Sequence, residues 1–375
     1  MPRSWKLRVW PVILCSLLWV TGFSMNADPE GADDQAEIRR MFSRMQQAIN
    51  SGNLAAYLSS VDDRLPFYAA EQKRWFQDAV RFVDPGSFRV DVLNMERVGE
   101  AEWKVDVRRS WTRKGKPAGH TGPLMVRKTS EGWKHADFPF VTSNHGPVTI
   151  RMEDASLERY ARIAKDVLTN ALRAFGDRYD WNPRRVEVKL YRQPEHFRHS
   201  VKLSLPEWAG GWHEANQSIK LVVGTPGDEK WFARALVHEL THQMVSELTN
   251  DNAAYWLQEG AAMYYEVHLL PELKASHGLK LLEKTGAMSL EELKRVRLES
   301  LEGLDAYRYY LSAYAWFREE TDNRGEQNWK RVFSRLKKHP YLDVDGDLKI
   351  PRTNLLTEEA LHEADKPKQP ERRAG

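Results

Sequence analysis

WFARALVHELTHQMVSELTNDNAAYWLQEGAAMYYE, Trp231 to Glu266, decides how the second half of this chain folds. Within it His238 and His242 stand four residues apart, with Glu239 beside the first. On an α-helix that spacing puts both imidazoles on one face, a turn apart, where they can share one metal ion. Glu239 falls about 100° round from His238, close enough to reach a metal-bound water without being a ligand. Ala233, Leu236, Val237, Leu240, Met244 and Val245 recur at three- and four-residue steps and predict the helix itself. The polar run Thr249-Asn250-Asp251-Asn252 predicts a turn, and a second helical pattern carries Trp256 to Ala262. Sixteen residues separate His242 from Glu259, which suits an antiparallel helix pair in which Glu259 swings back as third ligand. Two imidazole nitrogens, one carboxylate and an open fourth position make the donor set of a hydrolytic zinc site.

These segments resemble the gluzincin zinc metallopeptidases, specifically the peptidase MA-like group. There the HExxH helix is followed by W-L-x-E-G-x-A, which stands here as WLQEGAA from Trp256 to Ala262. The resemblance implies zinc as cofactor, peptide or protein as substrate, and hydrolysis with Glu239 as general base. It also implies a hydroxyl donor beside the metal on a later helix; in Tyr307-Arg-Tyr-Tyr-Leu-Ser-Ala-Tyr the choice falls on Tyr310. The strand before the HELTH helix is expected to border the cleft, with Gly211, Trp212 and His213 against an extended substrate. His196, His199, His268 and His277 have no ligand spacing; Glu266, one helix face on from Glu259, reads first as a solvated helix charge, with the partner that holds a ligand imidazole as the alternative. The competing expectation is a zinc-containing extracytoplasmic binding or envelope scaffold protein without hydrolytic activity. Glu239 argues against it, because a proton shuttle adds nothing to metal holding.

The 375 residues suffice for two cores, and 41% hydrophobic content with 14 Trp describes a globular chain. A net charge of +3 on 56 basic and 53 acidic residues gives no case for nucleic acid as a partner. Arg3, Lys6 and Arg8 precede the apolar run Val9 to Phe23, with small residues following, so residues 1–27 read as a signal peptide. An uncleaved segment would instead associate the chain with a membrane or cell envelope. The single cysteine, Cys15, lies inside that run, leaving a mature chain without disulfides. An extracytoplasmic address follows, of the bacterial-envelope kind rather than that of a disulfide-rich scaffold.

The expected fold class is α+β. Residues 28–34 read as a polar spacer, 34–50, 54–59 and 68–82 as helices, and the runs near 88–93, 103–107, 124–128 and 133–138 as antiparallel strands. Helices followed by a curved sheet, over residues 34–140, resemble the NTF2-like cone. Pro139 to Pro147 reads as a linker, followed by the peptidase MA-like domain at 148–360: a mixed sheet edge, then a mainly helical lobe. Asp343-Val-Asp-Gly-Asp imitates a calcium loop, but its glycine is misplaced and no closing Glu follows. Residues 361–375 read as a disordered tail.

Overall fold

A computed structural model describes residues 29–364 apart from 226, 271–281, 284, 298–300, 302 and 344–345. The expected signal segment and the end of the expected tail lie outside the described residues. The chain is α+β. Three helices open it, α1 (Pro29–Ser51), α2 (Leu54–Leu58) and α3 (Pro66–Phe82). A four-stranded antiparallel sheet follows: β1 (Arg89–Gly99), β2 (Glu102–Arg113), β3 (Lys116–Thr129) and β4 (Gly132–His135), in that spatial order. Ile38, Met41, Phe42, Met45 and Ile49 on α1 pack with Val105, Val107 and Val126 of the sheet in one buried cluster. Helix α1 begins before the expected start at Asp34, inside what read as spacer. Asp34 is buried and accepts hydrogen bonds from Lys128 Nζ at 2.9 Å and Trp133 Nε1 at 3.2 Å, which ties that turn to the sheet.

The stretch read as a linker is a hairpin. β5 (Val141–His145) and β6 (Val148–Met152) pair antiparallel and belong to the second sheet. Gly146 at φ 59° supplies the left-handed residue that the tight reversal requires. Helix α4 (Glu158–Tyr179), strand β7 (Val186–Tyr191), helix α5 (Pro194–Val201), and strands β8 (Gly211–Trp212) and β9 (Ile219–Val222) complete this layer. The sheet order is β5-β6-β7-β9-β8, with β6, β7 and β9 parallel and β8 antiparallel at the edge. Every side chain of β7 is buried, as a central strand covered on both faces must be. Helices α6 (Glu229–Thr249), α7 (Tyr255–Leu269), α8 (Leu290–Leu293), α9 (Gly303–Arg324), α10 (Gln327–Leu336) and α11 (Gly346–Ala364) form the remaining lobe. Residues 361–364 of the expected tail thus end a helix instead. It is held at Thr357, whose hydroxyl accepts from Ala254 N at 2.9 Å, and at Asn354, which accepts from Trp256 Nε1 at 3.0 Å.

The halves meet through buried charge. Lys189 of β7 places Nζ 2.6 Å from Glu71 of α3 and 2.6 Å from Asp137, and Lys220 of β9 lies 3.3 Å from Glu71. Burial alone would raise the Glu71 carboxyl, but Lys189 and Lys220 pull it down to about 2. A buried charge persists only with such partners, so α3 is locked onto the central strands of the second sheet.

Candidate metal centre

Two consecutive left-handed residues, Asn250 (φ 50°) and Asp251 (φ 58°), turn the chain between α6 and α7. Asn and Asp tolerate that conformation better than other residues with a Cβ. The Asn250 side chain donates to Lys337 O at 2.7 Å, and Asn252 donates to His339 O at 3.0 Å, pinning the reversal to the end of α10. The helices consequently run back along each other and Glu259 returns to the imidazoles. Donor atoms of His238, His242 and Glu259 all lie within 4.8 Å of one another. Glu259 Oε2 is 3.2 Å from His238 Nε2 and 3.4 Å from His242 Nε2, and the two Nε2 atoms are 3.1 Å apart.

The donor set fits a zinc ion. Glu259 Oε2 is buried with only the two imidazole nitrogens beside it and no well-directed hydrogen bond from either, an arrangement that is costly unless a cation takes the lone pairs. Burial opposes the charge on Glu259, yet His242 and His238 hold its carboxyl down at about 2. Two imidazole nitrogens facing one another across 3.1 Å need one electrophile between them, and nitrogen and carboxylate donors suit zinc.

Glu266 is not a solvated charge; of its two expected places it takes the one beside a ligand imidazole. It is buried, its Oε1 lies 2.7 Å from His238 Nδ1, and its Oε2 accepts from Arg234 at 2.8 Å. A carboxylate on Nδ1 fixes the imidazole's orientation and leaves Nε2 for the metal. The signal was present: Glu266 stands seven residues after Glu259, two turns along the same face of α7.

Glu239 is buried beside the donors, and burial raises its carboxyl, with His238 and His242 opposing. A cleft of about 280 Å³ contains Glu239, the three donors, Gly211, Trp212, His213 and Tyr310 among its lining residues. All eight residues singled out from sequence therefore meet in one place. Tyr310 comes from α9, its ring centroid 6.3 Å from that of His238. The glycine of WLQEGAA explains the approach, since a Cβ at Gly260 would stand 2.5 Å from Ala313 O. Burial pulls the His213 imidazole down to about 3, and its Nε2 is buried without a partner. The N-terminal half also reaches this cleft, through Arg74, Gln77, Asp78 and Arg81 of α3. Sequence reading missed this, because nothing in α3 marks which neighbour its polar face will meet.

A search of curated proteins found no match to the chain. The family model of the Peptidase MA superfamily matches residues 171–334, the stretch running from α4 through the HELTH and WLQEG helices to α10. Nothing in that comparison identifies the helices and sheet before it, so the NTF2-like resemblance remains one of element order. Over residues 171–334 the chain is similar to the Peptidase MA superfamily.

Proposed function

We propose that the protein is an exported zinc-dependent metallopeptidase. The observation that carries this reading is the grouping of His238, His242 and Glu259 within 4.8 Å, in the same cleft as Glu239 and Tyr310. Zinc, once bound, supplies a Lewis acid that polarises the scissile carbonyl and acidifies water. His238, His242 and Glu259 hold it, and Glu266 orients His238. Glu239 accepts a proton at its carboxylate and returns it to the leaving amine nitrogen. Its raised affinity for protons, a consequence of burial, suits a base that must also donate. The Tyr310 hydroxyl donates to the carbonyl oxygen as negative charge gathers there. The edge strand at Gly211 and Trp212, with His213 after it, offers main-chain groups along which an extended peptide can lie. The export segment is residues 1–27, and N-terminal sequencing of the native protein should begin near Ala27; recovery of Met1 would reject cleavage.

The test of the reaction is Glu239→Gln, compared with wild type at matched zinc occupancy on a broad peptide library. Because general-base assistance is worth roughly 10²–10⁴-fold, hydrolysis should fall by that range while zinc and fold are retained. Equal rates would reject Glu239 as the base. Zinc binding with no wild-type cleavage across the library would favour the binding or scaffold reading instead.

A further inference from the structure

The cleft that holds the metal donors has a second wall, which the hydrolytic reading does not use. Between α5 and β8 the chain contributes Lys202, Pro206 and Trp208 to the lining, and β8 adds Trp212. Trp208 is 52% exposed on this wall. Tryptophan has more apolar surface to bury than any other side chain, so a half-open one on a concave wall offers an apolar partner a large contact.

The wall is fixed from behind and from the N-terminal half. Val201 and Leu205 are buried with Tyr191 and Phe197 in a small cluster, and Trp212 packs against it. A turn closed by Ala209 N donating to Pro206 O at 3.1 Å carries Trp208. Asp78 of α3 accepts from Ser204 N at 3.0 Å and from the Ser204 hydroxyl. Arg74 of the same helix lies 3.5 Å from Glu214. Helix α3 thus holds the chain both before and after β8.

Alternation along β8 decides which part of a peptide meets this wall. A Cβ at Gly211 would point at Glu239 and Leu221, so that face of the strand looks toward α6. Trp212 takes the other face, toward the Tyr191 and Phe197 cluster, with Lys202 Nζ 4.1 Å from its ring centroid. Residues paired on adjacent strands project to the same face. A peptide laid along β8 therefore turns one side chain toward Glu239 and the next toward the tryptophans. Lys202 and Arg81 bring positive charge to the lining, while Asp78 and Glu214 are engaged by Ser204 and Arg74. A basic side chain would meet like charge there.

We propose that Trp208 and Trp212, held in place by α3, form a specificity subsite for a large apolar side chain, aromatic by preference, on the substrate residue paired with Trp212. This rests on the peptidase reading of the cleft and adds to it the class of peptide taken. It also gives the N-terminal half a part in substrate choice, because Asp78 secures the segment that carries Trp208.

The test separates binding from turnover. Zinc-loaded full-length Glu239→Gln is titrated calorimetrically with blocked Gly/Ser peptides carrying one Phe, one Lys or neither, and wild type is given a peptide library whose cleavage sites are read by mass spectrometry. The Phe peptide should bind at least about tenfold more tightly than the other two, the worth of burying one such side chain. Trp208→Ala in the same background should lose that preference at unchanged zinc content, with Trp208→Phe recovering part of it. Asp78→Ala should erode the preference and Asp78→Asn should keep more of it. Wild-type cleavage sites should be enriched in aromatic residues at one fixed position beside the cut bond. Equal binding of the three peptides, tighter binding of the Lys peptide, or a preference intact in Trp208→Ala overturns the subsite. A preference intact in Asp78→Ala overturns the part given to α3. Library cleavage without aromatic enrichment overturns the subsite and leaves the peptidase reading standing. The expected binding preference with no cleavage by wild type does the reverse.

Discussion

A methyl group on Gly211 would stand 2.7 Å from Oε1 of Glu239 and 2.9 Å from the Leu221 side chain, so edge strand and proposed base are in contact. Only a residue without a Cβ lets β8 run this close to α6. Gly211→Ala should push the Glu239 carboxylate away from its position while leaving the three metal donors alone. Overpacking of this kind costs about 1–3 kcal/mol, and a 1 Å misplacement of a reacting group costs about 100-fold in rate. The expected outcome is zinc content equal to wild type with hydrolysis lowered by one to two orders of magnitude, on the scale of that misplacement. Wild-type turnover in Gly211→Ala would mean that Glu239 has room to spare.

Glu266 should matter to the metal rather than to the proton. Its carboxylate holds His238 Nδ1 at 2.7 Å and is itself held by Arg234. Removing such a partner costs about 10–100-fold in metal affinity. Glu266→Ala should weaken zinc by that factor in a competition titration against a chelator, with Glu266→Gln recovering part of it through a hydrogen bond to Nδ1. If both bind zinc as wild type does, the contact orients nothing.

The candidate metal donors are legible because a helix converts spacing into geometry: an i, i+4 histidine pair sets two imidazoles side by side before any tertiary structure is known. Glu259 needed one step more, a turn between helices, and Asn250 and Asp251 announced it in composition. The hairpin at 141–152 was not legible. Pro139, Gly146 and Pro147 read as punctuation, and only pairing with β7, some forty residues on, turns those segments into strands. Helix α5 was equally silent, being eight residues long and buried through Phe197 and Val201 against a sheet the local pattern does not mention. The Lys189–Glu71 pair joins residues far apart in sequence, and a lysine inside a fully buried strand contradicts the hydrophobic pattern used to find cores.

That pair makes the halves interdependent. Glu71→Gln would leave Lys189 and Lys220 buried with less compensation, and breaking a buried pair costs about 3–5 kcal/mol. Unfolding should shift to lower temperature in one cooperative transition rather than separating into two. The acid limb carries the sign. Glu71 is depressed from 4.5 to about 2, so its contribution is full above pH 4.5 and fades as pH falls toward 2. Asp137 is raised by burial and acts in the opposite direction, so the informative quantity is wild-type stability minus that of Glu71→Gln. That difference should shrink between pH 4.5 and 2 in denaturant titrations, following the Glu71 shift. A difference independent of pH would show that the carboxylate's charge is not what is lost.

Tyr309 and Tyr310 are adjacent on α9, yet opposite consequences are expected of them. Tyr310 lines the cleft beside His238, while Tyr309 is buried with a hydroxyl that has no partner. Burial raises the Tyr309 phenol, and the neighbouring Glu259 charge adds to it, so it stays protonated and cannot serve as a second base. Removing the Tyr309 oxygen deletes a polar atom that makes no hydrogen bond, a change that is nearly neutral or stabilising. Removing the Tyr310 oxygen deletes the proposed donor to the developing oxyanion, a loss worth about 10²–10³-fold in kcat. Tyr310→Phe should therefore lower kcat by that range with KM and zinc content little changed, because the donor acts in the transition state and not on the bound peptide. Tyr309→Phe should keep kcat and hold or raise the unfolding midpoint. If Tyr309→Phe loses turnover and Tyr310→Phe does not, the donor is the buried tyrosine, and α9 must rotate when substrate enters.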